Sequence, residues 1–338
     1  MLIITSYILL FATNLFAKVW IVDNNPFPVG DYTTLSAVHG VASPGDTVYV
    51  YPSGSLYEAI ILTKKLFLFG AGIDLDLHGG QSTQANSTLS GTMGFNAGSE
   101  GSVMEGFDGN FIVGINVDDI VIKRCEIKYL VINGNGCMVL QNEIVGSAGS
   151  GDSSVLIGSN YGNIIIANNK IYNTSSSGLE EKVIASNISS TLVIVNNVLN
   201  IQYSGDTVFK NLSPTTLVQN NIIIKGNIPE NAAWAIYQYN MSNGSQIPDG
   251  GVGNIENIDM SIVFEDPANF DTGLHLLPGS PAAGTGFGGA DMGIYGGDYP
   301  FIDGGYPGIP AVYFIESQVI TVPQNGLNVR FKAKSNAR

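Results

Sequence analysis

The chain has 338 residues, with 14 Lys+Arg against 28 Asp+Glu and a formal net charge of -14, so it lacks the basic footprint that nucleic-acid binding requires. Two cysteines rule out a disulfide scaffold, and a chain of this length buries enough surface to do without one. Charge is scarce, and apolar residues interleave with Asn, Ser, Thr and Gly, a composition that suits a β-protein with a long thin core.

The first seventeen residues contain no Lys, Arg, Asp or Glu, end in Leu15-Phe16-Ala17 and are followed by Lys18. This reads as a secretory signal cut after Ala17, too short for a membrane span. No later segment reaches the roughly twenty uninterrupted apolar residues of a membrane helix. A soluble, exported, monomeric protein is expected. Val19 to Val22 reads as a first strand. Thr33 or Thr34 then caps a helix whose apolar positions Leu35, Val38 and Val41 follow helical spacing, and Pro44-Gly45 ends it. Asp46 to Val50, Ala59 to Leu62 and Leu66 to Phe69 read as strands, with a turn at Pro52-Ser53-Gly54. Residues 73 to 98, rich in Gly, Ser, Thr and Asn, read as an inserted loop.

From Cys125 to Ile223 one phrase recurs: an apolar stretch, then Asn, any residue and an aliphatic. It reads Gln141-Asn142-Glu143-Ile144, Asn168-Asn169-Lys170-Ile171, Asn196-Asn197-Val198-Leu199 and Asn220-Asn221-Ile222-Ile223, with Arg124-Cys125-Glu126-Ile127 carrying Cys in the Asn slot. The aligned positions 125, 142, 169, 197 and 221 are one supersecondary unit apart. Strands recurring this way without hairpin signals pair in parallel, one coil on the next, about 4.8 Å apart, with right-handed crossovers. The fold class is therefore all-β: a right-handed, single-stranded parallel β-helix of eight to ten coils with an N-terminal capping helix.

Period-two alternation turns Ile166, Asn169 and Ile171 inward and Asn168 and Lys170 outward. Stacked Asn amides can bond one to the next, and Ile127, Ile144, Ile171, Leu199 and Ile223 should form an aliphatic stack. Cys125 and Cys137 are out of register with each other, which favours two buried thiols over a bridge. Past Gly226 the register fades. Pro229 to Gly253 reads as a lateral loop or degenerate coil with a half-buried Trp234, and Ile255 to Phe264 as a return to the stack. The Gly- and Pro-rich stretch from Pro278 to Pro310 should wrap the C-terminal end. In the tail, residues 311 to 338, Arg330, Lys332 and Lys334 alternate with Val329, Phe331 and Ala333, as in a charge-protected edge strand.

Two stretches resemble a known family. The helix Thr33-Thr34-Leu35 to Ala42, the run Ser43-Pro44-Gly45-Asp46-Thr47-Val48-Tyr49-Val50 and later Phe67-Leu68-Phe69-Gly70-Ala71-Gly72 resemble the opening of secreted right-handed parallel β-helices of the pectin-lyase-like superfamily. Gly279-Ser280-Pro281-Ala282-Ala283 with Gly289-Ala290-Asp291-Met292-Gly293-Ile294-Tyr295-Gly296-Gly297 looks like the closing segment of uncharacterised bacterial members. The resemblance frames residues 19 to about 310. It implies a secreted or cell-surface β-helix whose helix caps the N-terminal end. The superfamily's lyase motifs, Trp-Ile-Asp-His-like and Arg-x-Pro-x-x-Arg, and its hydrolase motifs are missing from this sequence, and Arg124 is the sole arginine before the tail.

One polar patch remains for chemistry. Outward positions beside the Asn column place Arg124, Gln141 and Asn168 next to Glu126, Glu143 and Lys170. In a β-elimination, Lys170 or Arg124 would act as base or acid, with Glu126 and Glu143 holding a calcium ion. The competing reading is a solvated face whose charge pairs contribute about 0 to 1 kcal/mol. In a binding role, Gln141, Asn168, Glu126 and Glu143 would contact a polysaccharide, and Tyr57, Tyr161, Tyr172, Tyr203, Trp234, Tyr237 and Tyr239 would offer faces to sugar rings. His39, His78 and His275 show no metal spacing. Asp118-Asp119 reads as a coil corner, and Asp74 and Asp76 alternate with aliphatics as in a strand edge, with no pattern that supports calcium there. The residues favour a β-helix that binds or displays toward polysaccharide without catalysis and without a resident cofactor, over a uronate lyase or an adhesive rod.

Overall fold

In the computed structural model the chain is described over residues 17–78, 85–146, 153–174, 182–186, 190–317 and 329–335. Of the proposed signal segment, residues 1–17, all but Ala17 lies outside them. Three sheets of parallel strands, ten-, six- and seven-stranded, run side by side, each ordered along the chain. Each full coil gives one strand to each sheet, so the fold is a parallel β-helix. Among the described residues no helix is long and apolar enough to cross a membrane.

The core follows the expected alternation. Inward residues meet like residues on the next coil, so Ile122, Val139, Ile166, Ile194 and Val218 stack in register and are fully buried. Ile127, Ile144, Ile171, Leu199 and Ile223 form the second aliphatic stack. The α-helix Leu35–Val41, the single one among the described residues, is capped by the Thr34 side chain, which accepts from the Ala37 amide. It turns Leu35 and Val38 into the end of the core, but Val41 is exposed.

The inner Asn residues form a continuous ladder. Asn142 Nδ2 donates to Asn169 Oδ1 at 3.0 Å, Asn169 to Asn197 at 2.9 Å and Asn197 to Asn221 at 2.9 Å. Each amide also donates to a carbonyl of the preceding coil, as Asn169 does to Val139 at 2.9 Å. All four are completely buried, and the network leaves no amide of the ladder without a partner. Cys125 begins it, its backbone amide donating to Asn142 Oδ1. Both cysteines are buried free thiols, and burial raises Cys125 to about 12 and Cys137 to about 11.

Several expectations are corrected. The ladder does not end at Asn221: Asn240 and Asn254 continue it at 3.0 and 3.1 Å. The segment after Pro229 is thus a coil, with Ile236–Gln238 paired to Leu217–Gln219. Its register is hard to see because Ser242, not an aliphatic, follows in the stack position. Trp234 is exposed rather than half buried. The stretch from 73 to 98 contains strands Leu89–Ser90 and Thr92–Phe95, the latter paired between Ile61–Leu62 and Ile112–Ile115 and burying Met93 and Phe95. Of Ile255 to Phe264, only Ile255 bridges to the stack; Met260, Val263 and Phe264 enter a second core outside the coils.

The largest correction concerns residues 278 to 310. They do not cover the C-terminal end but run back along one flank toward the N-terminus. Gly293 donates to the Asn220 carbonyl, and the Gly308 amide reaches Glu105, many coils earlier. This strap closes the second core over the outer face of the six-stranded sheet, where Val198, Ile222 and Met241 point outward against Met292, Ile294 and Phe301. Beyond it, Pro310–Ser317 and Val329–Ser335 pair as an antiparallel ribbon, so the tail strand is not a coil edge.

Replacing Asn197 by Ala removes a rung: the Asn169 backbone amide and one Asn169 Nδ2 hydrogen lose their acceptor, and the Ile166 carbonyl loses a donor. Urea unfolding is expected to show a loss of about 1 to 3 kcal/mol; an unchanged midpoint would contradict the ladder's role.

Candidate functional site

Each coil turns from the ten- to the six-stranded sheet through two residues, the second being the ladder Asn. The first adopts left-handed backbone: φ is 54° at Arg124, 56° at Gln141, Asn168 and Asn220, and 55° at Asn196 and Tyr239. Asn accepts this conformation readily, whereas Arg and Gln carry a penalty of about 1–2 kcal/mol. The geometry aims every one of these side chains out of the coil, as the alternation predicts. They are not solvated, because the strap lies on them.

The contacts descend coil by coil. Asn220 Oδ1 accepts from the Phe287 amide at 2.8 Å. Asn196 Nδ2 donates to the carbonyls of Asp291 and Gly293 at 3.1 and 3.2 Å, and Asn168 Nδ2 to those of Ile294 and Gly296 at 2.8 and 2.7 Å. Gln141 Nε2 donates to the Pro300 carbonyl. Arg124 donates to Gln141 Oε1 at 2.9 Å and to the Tyr306 carbonyl at 2.8 Å, and pairs with Glu105 at 2.8 Å. Arg124 is among the largest fully buried side chains.

The neighbouring column holds Glu126, Glu143 and Lys170 on successive coils. Lys170 is 2 % exposed. Its Nζ lies 3.2 Å from Glu143 Oε2, donates to the Asp271 carbonyl and sits 4.8 Å from the Phe301 ring centroid. Burial raises Glu143 to about 8 against the opposing pull of Lys170. Glu126, half-buried, is raised to about 9, first by desolvation, then by a hydrogen bond with Asp108 and by the charges of Asp108, Asp74 and Glu143. Desolvation, with Asp108 and Asp271, also raises Asp74.

The six nominated side chains are therefore brought together, joined by Asp74, Asp108, Asp271 and Phe301, which no periodic signal marked. The expectation of a solvated face is overturned. Arg124 is held by Glu105 and the Tyr306 carbonyl of the strap, and Lys170 by Glu143 and the Asp271 carbonyl, and both side chains are buried. Among the described residues no group of three or more His, Cys, Asp or Glu is arranged to hold a metal ion. Asp76 is exposed. His275 instead joins Tyr295 and Asp303 on the strap, its Nε2 3.0 Å from Asp303 Oδ2 and its ring stacked on Tyr295.

A different polar array is open to solvent. At the corner between the seven- and ten-stranded sheets, Asn116 Nδ2 donates to Asn96 Oδ1 at 2.9 Å and Asn133 Nδ2 to Asn116 Oδ1 at 3.2 Å. Beside it Asn135 donates to Asp118 Oδ1, and the Gly162 amide donates to Asn135 Oδ1. The adjacent outward column runs Ile61, Gly94, Gly114, Val131, Leu156. A Cβ at Gly114 would meet nothing within 4 Å, so the floor is open there, whereas Gly94 is buried with the Ile61 side chain against it. Tyr161 closes the array: a Cβ at Gly158 would lie 2.2 Å from Asn133 Oδ1 and 3.1 Å from the Tyr161 ring. The sequence signal was an apolar residue before each Asn, in Phe95-Asn96, Ile115-Asn116 and Ile132-Asn133, without the aliphatic that marks the inner phrase. Of the other nominated aromatics, Tyr57 and Tyr237 are buried, Tyr172 packs on Phe270 and Tyr239 on Phe287 of the strap, and Tyr203 and Trp234 are exposed.

No protein-family model matches the chain, and no curated protein or solved structure matches it significantly.

The raised Glu126 carboxyl has a signed consequence. A carboxyl whose folded pKa exceeds its ordinary value of 4.5 contributes stability below that value, and the contribution is lost as pH rises toward about 9. Glu126→Gln, which keeps the neutral form, is expected to melt above the wild type at pH 9 and close to it at pH 4. An equal difference at both would contradict the assignment.

Proposed function

We propose that the chain is an extracellular, non-catalytic β-helix that holds a neutral polysaccharide along the outer amide ladder. The observation that carries this reading is the solvent-facing row of Asn116, with the partly exposed Asn96 and Asn133, beside a floor left open at Gly114. Each amide nitrogen has two hydrogens and spends one on its neighbour, so the other can meet a hydroxyl. Rungs repeat at about 4.8 Å, and two rungs, about 9.6 Å, are on the scale of two linked pyranose rings. Tyr161 offers a ring at one end, the mixed apolar and polar surface that sugars fit.

The net charge of -14 repels polyuronates and favours an uncharged chain. Export through the N-terminal segment and kinship with secreted pectin-lyase-like β-helices belong to the same reading. The lyase alternative relies on Lys170 and Arg124, both covered by the strap.

Affinity electrophoresis and a glycan array separate the possibilities. Retention by a neutral polysaccharide is expected, weakened about 10-fold or more by Asn116→Ala with Asn133→Ala, which removes two hydrogen bonds, and unaffected by Lys170→Met. No retention by any glycan, or unsaturated uronate product formed with calcium and lost in Lys170→Met, would overturn the reading.

A further inference from the structure

Lys170 shows how this molecule holds an ammonium group away from water. Its Nζ lies 3.2 Å from Glu143 Oε2, donates to the Asp271 carbonyl and sits 4.8 Å from the Phe301 ring centroid. A carboxylate, a backbone carbonyl and an aromatic face together replace the hydration shell. Similar groups recur in an adjoining cavity of about 290 Å³ that holds no lysine. Its floor is the outward face of the six-stranded sheet, with Glu143 and Val145 on one strand and Tyr172 and Thr174 on the next, Val145 paired with Tyr172. Phe270 and Asp271 form the wall, in a turn fastened by Asn269, whose carbonyl accepts from the Gly273 amide at 2.9 Å and whose Oδ1 accepts from the Thr272 amide at 3.2 Å. The Tyr172 ring stands 5.4 Å from that of Phe270, and its hydroxyl donates to Gln202, which fixes its orientation. Thr174 and Asp271 at the rim are exposed, so solvent reaches the cavity.

Glu143 is the group in this cavity that lacks partners. It is 3 % exposed, it spends Oε2 on Lys170, and among the described residues nothing donates to Oε1. A carboxylate oxygen withdrawn from water without a donor in exchange is costly. The surrounding charge is unbalanced as well. Glu143, Asp271, Glu126 and Asp74 face the Lys170 ammonium, with His78 acting on Asp74. Burial raises the Glu143 carboxyl to about 8, and Asp74 and Asp271 push the same way against the pull of Lys170.

We propose that this cavity binds a small organic ammonium ion, its charge against Glu143 Oε1 and Asp271 and its alkyl groups on the Tyr172 ring. The cavity is at the small end of ligand pockets, the size for an amine of a few carbons and too small for a polymer. An ammonium ion needs one carboxylate and an aromatic face. A metal ion needs several converging oxygens, and among the described residues no group of three or more His, Cys, Asp or Glu is arranged to supply them. A bound cation favours the ionised form of Glu143, so binding displaces its proton and tightens as pH rises toward about 8. The site is separate from the outer amide ladder and does not rest on the polysaccharide reading.

Titration calorimetry of the full chain with choline tests this, because choline keeps its charge at every pH. The neutral alcohol in which carbon replaces the choline nitrogen is the control. Saturable binding of choline and none of the alcohol is expected, about 10-fold or more tighter at about pH 8.5 than at about pH 6.5. Glu143→Gln should remove that pH dependence. Two milder variants guard against misfolding of this one: Tyr172→Leu, which keeps an apolar contact with Phe270, and Asp271→Asn, which keeps the carbonyl bonded to Lys170. Each should melt close to the wild type and bind choline about 5-fold or more weakly. No saturable binding by about 10 mM, equal binding of the alcohol, displacement of choline by calcium, or unchanged affinity in both milder variants would overturn the proposal.

Discussion

The fold depends on a two-residue corner at which the chain passes from the ten- to the six-stranded sheet. One residue takes left-handed backbone and aims outward; the next is an Asn whose amide turns in and bonds to the coils on both sides. Because a buried amide must be satisfied, each corner has to sit directly over the last. That sets the register of the strands on either side and hence of both aliphatic stacks. The corner also fixes what lies outside: a row of side chains, one per coil, at a spacing to which an irregular peptide can be fastened.

The strap uses that row. It has no repeat of its own, yet its carbonyls at Asp291, Gly293, Ile294, Gly296, Pro300 and Tyr306 meet donors at Asn196, Asn168, Gln141 and Arg124 in sequence. Once seated, it removes Val198, Ile222 and Met241 from water and encloses Lys170 with Glu143. The charged residues nearest the ladder become internal connectors, while similar amide chemistry at the opposite corner, Asn96, Asn116 and Asn133, faces solvent and is open to a ligand. Burial, more than residue type, separates the two.

Much of the coil was legible because periodic structure leaves periodic sequence. The Asn slot, the aliphatic two residues later and the Thr34 cap identified the corner, the stack and the helix. Asn240 and Asn254 were missed because the aliphatic after Asn240 is replaced by Ser242, and Thr92–Phe95 because its neighbours have loop composition. The strap was illegible for a deeper reason: its acceptors are backbone carbonyls, which every residue has. A period-two reading places Lys170 and Arg124 outside the coil, but it cannot say whether water or peptide waits there. For the same reason it found the nominated side chains' neighbourhood and misjudged its solvation.

Hydrogen exchange on Asn168→Gly with Asn196→Gly tests the central claim most directly, since glycine keeps the left-handed corner and removes only the outward donors. Amides of residues 291 to 301 are expected to exchange about 10-fold faster or more, while Ile164–Ala167 and Leu192–Val195 keep their protection. A strap that stays protected, or coils that open with it, would contradict the separation of an inward ladder from an outward row of fastenings.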